Sequence, residues 1–340
     1  MLKETILFEP LTGGRVRCLV CQRRCAVAPG MLGYCRTRLN RDGVLYSTIY
    51  GLVSSMAADP IEKKPVFHYK PGSRVFSLGS FGCNFRCRFC QNWQIAYADA
   101  TSGADAGREV PPAEAARLAK ASGCEGIAWT YNEPAIWLEY ALDGARLAKA
   151  AGLYTVYVTN GYATEEALDA IGPYLDVYRV DFKSFSPRFY RALIRGVHGE
   201  GIRNVALRAQ AKWGMHVEVV TNLVPGYNDD AEELRAMAVW IRDNLGDDTP
   251  WHLTRFFPYA ELADVPPTPL ATLQAARALA REVGLKFVYL GNVPTEEGEN
   301  TYCPVGGELV VARSYYRTQL VAVREDGTCR QHGAPLNLTL

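Results

Sequence analysis

Three cysteines lie at Cys83, Cys87 and Cys90, in the run Gly82-Cys83-Asn84-Phe85-Arg86-Cys87-Arg88-Phe89-Cys90-Gln91-Asn92. The spacing is C-x3-C-x2-C, and no fourth cysteine follows closely. Iron–sulfur cubes are usually held by four Cys thiolates. A trio on one loop can hold three irons of a [4Fe–4S] cube and leave the fourth open to an outside ligand. An open iron is a place to bind and break a small molecule. Phe85 and Phe89 would shield such a cluster, because solvent access tunes its potential. The competing reading is a zinc knuckle that borrows a remote ligand.

Two further sets of metal-type side chains stand apart from this loop. Cys18, Cys21, Cys25 and Cys35 supply four thiolates at C-x2-C-x3-C-x9-C. A structural zinc and a second, fully ligated iron–sulfur cluster compete for them, with four free thiols as the third reading. Cys303-x2-Gly306 and Cys329-x2-His332 are each followed by a glycine, like two knuckles of a zinc ribbon that has lost one ligand. Cys303, Cys329 and His332 remain as candidates, against a decayed site without metal. Cys124 stands alone before a strand and reads as a small core residue.

Composition narrows the classes. The chain has 340 residues, ten cysteines and a formal net charge of +1. No long run of like charge supports a nucleic-acid or membrane-surface partner. The N-terminus lacks the apolar core of a signal peptide, and no segment approaches the ~18 apolar residues of a membrane span. A cytoplasmic protein is expected, and in that reducing compartment clustered cysteines read as metal ligands.

The elements that must position these residues follow from periodicity and breakers. Residues 1–73 read as a Cys-rich N-terminal module, with a strand over 44–50 and a turn-rich stretch to Pro71-Gly72. Residues 74–256 change to a strand–loop–helix rhythm. Strands are expected at 74–78, 126–130, 155–159, 177–181, 216–223 and 251–255. Helices are expected at 112–122, 136–151, 164–171, 187–194, 202–213 and 230–244. Such alternation implies an α/β fold with a parallel sheet, open or curled into a barrel. Residues 257–340 read as a mixed α/β extension, with a helix capped by Thr268-Pro269 and running to Val283, a strand at 286–290 and a hairpin at 308–323.

Several polar residues fall at strand ends or on inward faces. Asn132-Glu133-Pro134 ends the second of these strands, and it also reads as a helix start with Asn132 as N-cap. Arg179, Asp181 and Lys183 share one face if their strand continues, opposite Tyr178, Val180 and Phe182. Charges facing a barrel interior are costly unless paired or used. His216, Glu218 and Asn222 alternate likewise, with Asn222 nearest the C-terminal rim, where barrels place their chemistry. His216 begins its strand, far from that rim, and reads as a structural residue. Asn160 and Arg255 also lie at strand ends, as candidates to contact a cofactor or substrate.

The run Cys83-x3-Cys87-x-Phe89-Cys90 resembles the signature of the radical S-adenosylmethionine (SAM) superfamily, over roughly residues 74–256. There the loop follows the first strand of a partial (β/α)6 TIM-like barrel. Thr130-Tyr131-Asn132-Glu133-Pro134, Thr159-Asn160-Gly161, Asp181-Phe182-Lys183 and Val224-Pro225-Gly226-Tyr227-Asn228-Asp229 resemble the activating enzymes of glycyl-radical enzymes. With the Cys-rich front and Asn300-Thr301-Tyr302-Cys303-Pro304, the whole chain is most similar to the radical SAM member of the AmmeMemoRadiSam system.

The resemblance implies a [4Fe–4S] cluster, SAM and an external electron donor of flavodoxin or ferredoxin type. SAM chelates the open iron, an electron cleaves its sulfonium, and a 5′-deoxyadenosyl radical abstracts a hydrogen atom. Glu133 would meet the methionine amine, although Tyr131-Asn132 replace the family's glycines, and Asp181-x-Lys183 would help bind SAM. Val158 stands where some activating enzymes carry an acidic residue associated with a monovalent cation, which puts such a cation in doubt. The hydrogen donor is a protein partner or a small molecule. A non-catalytic iron–sulfur carrier or sensor is the reading outside enzymes.

Overall fold

The computed structural model describes residues 2–98, 107–195, 198–293 and 295–340. Its centre is a mostly parallel sheet of eight strands, here β1 (Ser55–Pro60), β2 (Arg74–Gly79), β3 (Gly126–Trp129), β4 (Tyr154–Thr159), β5 (Val177–Asp181), β6 (His216–Leu223), β7 (Trp251–Arg255) and β8 (Val288–Gly291). Strands β2 to β8 lie side by side in chain order and pair in parallel. Only β1 runs the other way, against β2. The helices Leu138–Ala150, Glu165–Ile171, Glu200–Ala211, Ala231–Asn244 and Leu270–Val283 fill the crossovers from β3 onward. This is the α/β alternation that the sequence implies.

The strands read as apolar runs because both faces are covered. All four residues of β3 are buried, as are five of the six in β4. Phe182, just past β5, packs edge-on to Trp240 of Ala231–Asn244, on the helix side that the alternation of Tyr178, Val180 and Phe182 implies. Each aliphatic side chain sealed there contributes ~1.5–3 kcal/mol. The helix starts are written locally. Thr164 Oγ1 accepts from Ala167 N at 3.1 Å, and Asp230 Oδ1 from Glu232 N and Glu233 N at 3.0 and 3.1 Å. Caps of this kind are worth ~1 kcal/mol.

Four local expectations are corrected. Strand β1 lies in the stretch read as turns, because Ser-Met-Ala-Ala-Asp-Pro has no β-branched residue to announce it. The helix expected over 136–151 is a 3-10 turn, Pro134–Trp137, followed by Leu138–Ala150. The helix expected over 187–194 is one α turn, Pro187–Phe189, that widens to a π turn over Tyr190–Ile194. Thr268 caps no helix: its hydroxyl accepts from Phe256 N at 2.8 Å and donates to Leu223 O at 2.6 Å.

The segment between β1 and β2 crosses the face of the sheet. Phe67 N and His68 N both donate to Glu218 Oε1 of β6 at 2.8 Å. Glu218 also meets His216 Nε2 at 3.0 Å and His252 Nε2 of β7 at 2.6 Å. His68 Nε2 lies 2.6 Å from Tyr289 Oη of β8. The connection at one sheet edge thus touches three strands at the other. Burial alone would push the Glu218 carboxyl up, and the two histidines outweigh it and hold it well below the usual range. His216 is therefore a partner of Glu218. Beyond β8, Leu309–Ser314 and Arg317–Leu320 form the expected hairpin, over a small core that includes Phe287, Val311 and Leu336. No helix among the described residues is long and apolar enough to cross a membrane.

Candidate functional site

Parallel pairing puts the C-terminal ends of β2 to β7 on one rim. The three cysteines follow β2 there, on a loop that is tied down throughout. Arg86 Nη1 donates to the carbonyls of Cys83, Phe85 and Ala96 at 3.1, 3.2 and 2.9 Å. Tyr97 Oη donates to Cys87 O at 2.6 Å. Asn132 Nδ2 donates to Ser80 Oγ at 2.9 Å and Gly82 O at 2.7 Å, and Asn92 Nδ2 to Tyr131 O at 2.5 Å, so the loops after β2 and β3 hold each other. Gly82 is required: its φ is +81°, and a Cβ there would sit 2.5 Å from Thr37 Cγ2 and 2.6 Å from Cys35 O.

All three thiols are free; Cys83 is buried, and Cys87 and Cys90 are partly so. Burial pushes the Cys87 thiol up to about 12, against the nearby Lys183 ammonium, and drives Cys83 well above its ordinary value. Bare thiolates are disfavoured here, and a bound metal is what would offset them. Asn84 Nδ2, beside Cys83, is buried with no acceptor among the described residues. A sulfide or thiolate would take that N–H. Phe85 and Phe89 are buried, against Tyr162 and Phe189 at ring distances of 5.3 and 6.0 Å. Donor set, orphan N–H and apolar shield all fit an iron–sulfur cluster.

Around the loop, β3, β4 and β5 bring three of the expected groups together. Glu133 is fully buried. Its Oε1 accepts from Ala135 N at 2.9 Å and Thr159 Oγ1 at 2.7 Å, and its Oε2 from Asn160 N at 2.8 Å. Glu133, not Asn132, is thus the N-cap of the 3-10 turn; Asn132 is committed to Ser80 and Gly82. Burial pushes the Glu133 carboxyl up to about 7, despite those three donors. Asn160 Nδ2 donates to Asn84 Oδ1 at 2.7 Å and lies 3.9 Å from Cys83 Sγ. Asp181 pairs with Lys183 at 2.7 Å and with Arg179 at shorter range. Burial works against the charge on Asp181, but Arg179 and Lys183 hold its carboxyl below the usual range. Burial likewise opposes the charge on Lys183, and Asp181 and the Cys87 sulfur override it, so the ammonium binds its proton more tightly than usual. Its Nζ sits 5.9 Å from the centre of the Phe89 ring.

Asn222 and Arg255 share the rim but are held by other partners. Asn222 Nδ2 donates to Thr254 Oγ1 at 3.1 Å and Thr254 O at 3.3 Å. Arg255 Nε donates to Thr268 O at 2.9 Å, with its guanidinium 5.3 Å from the Phe257 ring centre. Asn228, in the run Val224–Asp229, carries no spacing signal of its own. Its Nδ2 donates to Lys183 O at 2.6 Å and Asn222 O at 2.9 Å, which fixes the chain after β5 and β6.

The N-terminal thiols dock on the same rim. Cys18, Cys21 and Cys35 are buried and Cys25 is partly so. Arg23, between Cys21 and Cys25, donates from Nε to Asn84 O at 2.6 Å. Gln22 Nε2 donates to Ala163 O at 2.8 Å, and Thr164 Oγ1 to Leu19 O at 2.6 Å. Burial pushes Cys18 up to about 11 and Cys21 further. Cys303, Cys329 and His332 meet at one point of the C-terminal tail, together with Glu308.

The chain is similar to known proteins. A family model described as the Radical SAM superfamily matches residues 78–238. Over 340 residues, the whole of both chains, the sequence is 40% identical to the uncharacterized protein MJ0808 of Methanocaldococcus jannaschii. Over 208 residues, 56% of this chain and 80% of the relative, it is 26% identical to a pyruvate formate-lyase-activating enzyme of Listeria monocytogenes. A radical SAM methyltransferase from Sphaerobacter thermophilus superposes with a TM-score of 0.50 at 17% identity, over 65% of this chain and 66% of that one, a likeness of fold.

Proposed function

The chain belongs to the radical SAM superfamily and is related to its glycyl-radical activating enzymes, and from that premise we propose that it reductively cleaves SAM at a [4Fe–4S] cluster held by Cys83, Cys87 and Cys90. One observation carries this reading: three free thiols, an orphan Asn84 N–H, the Glu133–Asn160 pair and the Asp181–Lys183 pair all meet on one rim. When bound, such a cluster supplies the electron that breaks SAM into methionine and the 5′-deoxyadenosyl group that takes a hydrogen atom. The chain supplies the rest. Asn160 orients Asn84 and Cys83. Glu133 accepts the methionine amine, since a carboxylate takes about four donors and three are in place. Lys183 and Asp181 hold paired charges for the carboxylate and ribose ends, with Asn222 and Arg255 further along the rim. Phe85, Phe89 and Tyr97 exclude water.

Six strands, β2 to β7, form the partial (β/α)6 barrel of this reading, with residues 1–73 as the Cys-rich module and 257–340 as the extension. Their sequential order and the crossing of Phe67 and His68 to β6 support the curl. The N-terminal thiols hold a second cluster. Four thiolates, with Cys18, Cys21 and Cys35 buried, suit a fully ligated cube. Contact through Arg23 with Asn84 suits an electron relay from a flavodoxin- or ferredoxin-like donor.

The radical's target is a protein partner, as the name of the Listeria relative suggests for that enzyme. The Cys-rich front and the Asn300–Pro304 run favour the AmmeMemoRadiSam group, and the thiol chemistry favours the cytoplasm. Electron paramagnetic resonance of the reduced, reconstituted protein tests the site. SAM addition should shift the spectrum of one cluster and leave the other unchanged; a spectrum indifferent to SAM contradicts an open iron.

A further inference from the structure

The C-terminal ribbon reads as one ligand short, because Gly306 occupies the position that His332 fills in the other knuckle. The two turns are built alike. Gly307 N donates to Cys303 O at 2.9 Å, and Gly333 N donates to Cys329 O at 2.8 Å. Both glycines have positive φ, at +76° and +66°. Each turn therefore presents its cysteine and the residue three further on to the same side.

No side chain belongs at position 306, since its space is taken. A Cβ there would lie 2.1 Å from His332 Cε1 and 2.4 Å from Glu308 Oε2. Glu308, two residues on, reaches back into the gap. Its Oε1 stands 2.7 Å from Cys329 Sγ and 2.8 Å from His332 Nδ1. His332 Nδ1 is in turn 3.8 Å from Cys303 Sγ and 3.9 Å from Cys329 Sγ. The four ligand atoms all lie within 4.8 Å of one another. Glu308 Oε2 is buried with no partner among the described residues.

We propose that Cys303, Glu308, Cys329 and His332 form a structural zinc site in which the carboxylate of Glu308 replaces the missing ribbon ligand. The donor set selects the metal. Two thiolates exclude calcium and magnesium, which prefer all-oxygen cages. Two sulfurs, one imidazole and one carboxylate in a closed four-coordinate set suit zinc. The neighbourhood explains the need. The hairpin Leu309–Ser314 and Arg317–Leu320 lies between the two knuckles over a small core, and small modules of this kind use metals as staples. The chain after the second knuckle returns to the sheet, where Leu336 O meets His68 Nδ1 at 2.8 Å and Thr339 N donates to His68 O at 2.9 Å. The zinc thus anchors a segment that also reaches the loop before β7, where Asn337 Nδ2 donates to Asp248 O at 3.0 Å. The site is independent of the radical SAM rim, so either reading can fail alone.

The test is metal analysis of the full-length protein, purified without oxygen from zinc-supplemented medium, with Co2+ substitution as a second readout. Wild type should carry about one zinc per chain, and cobalt should give thiolate charge-transfer and tetrahedral d–d absorption. Cys303→Ser and Cys329→Ser should lose the metal, while Cys21→Ser should keep it. Glu308→Gln should weaken zinc binding at least about tenfold, and Glu308→Cys should restore it. Where a cysteine variant does not fold, this Glu308 pair decides. Zinc-free wild type, equal affinity in the Gln and Cys variants, or undiminished zinc in a folded Cys329→Ser protein would overturn the assignment.

Discussion

At Glu133 a buried carboxyl and a rim of backbone donors compete, and the balance lands near neutral pH. Burial outweighs the donors from Ala135, Asn160 and Thr159 and pushes the carboxyl up to about 7. Only the ionised form accepts a further N–H from the methionine amine. SAM affinity should therefore rise as pH goes from about 6 to about 8, approaching tenfold per unit below the carboxyl's pKa. Equilibrium binding to the unreduced holoprotein checks it, and Glu133→Gln should flatten the profile. A pH-independent wild type would remove Glu133 from the SAM site. The folding linkage has the opposite sense. A raised folded pKa favours the fold below the unfolded value, and that contribution is lost as pH rises through about 7.

One carboxylate, Glu218, ties the β1–β2 connection to β6 and β7. Glu218→Gln keeps the shape but removes the charge that Phe67 N, His68 N, His216 and His252 all face. Breaking a buried charged network costs about 3–5 kcal/mol, read as a lower urea midpoint at pH 7. A variant within about 0.5 kcal/mol of wild type would mean that the segment is not pinned there. Acid should erode the same network. Burial holds His68 down to about 3, so the unfolded chain binds more protons and stability falls as pH drops from about 6.5 toward 3. The depressed Glu218 carboxyl adds loss in the same direction below its unfolded value.

Much of the arrangement of strands and helices was legible in the sequence. The apolar face of β5 and the alternation of strands and helices are written in short-range pattern. Strand β1 was not, because its residues carry no β signal and only pairing with β2 defines it. Glu308 was missed for a like reason: a ligand supplied from outside the knuckle spacing has no signature until the turn is built.

Across the whole molecule, the N-terminal segment is joined to the central sheet by a buried ion pair. Arg38, buried and within electrostatic reach of Cys18 and Cys35, pairs with Glu139 at 2.7 Å and so ties the four-thiol segment to the helix after β3. If that module relays electrons, Cys21→Ser should lower iron from about eight to about four atoms per chain. Turnover with a flavodoxin donor should then fall far more than turnover with a strong chemical reductant. Unchanged iron content would return the module to a zinc or metal-free reading.

Cleavage of SAM at the open corner of a cluster on Cys83, Cys87 and Cys90 is the proposed reaction. Its most direct test is 5′-deoxyadenosine formation after anaerobic reconstitution with iron and sulfide, in the presence of SAM and a strong reductant. Wild type should release 5′-deoxyadenosine and methionine, and Cys87→Ala should release neither. No product from wild type, or as much from Cys87→Ala, would contradict the account.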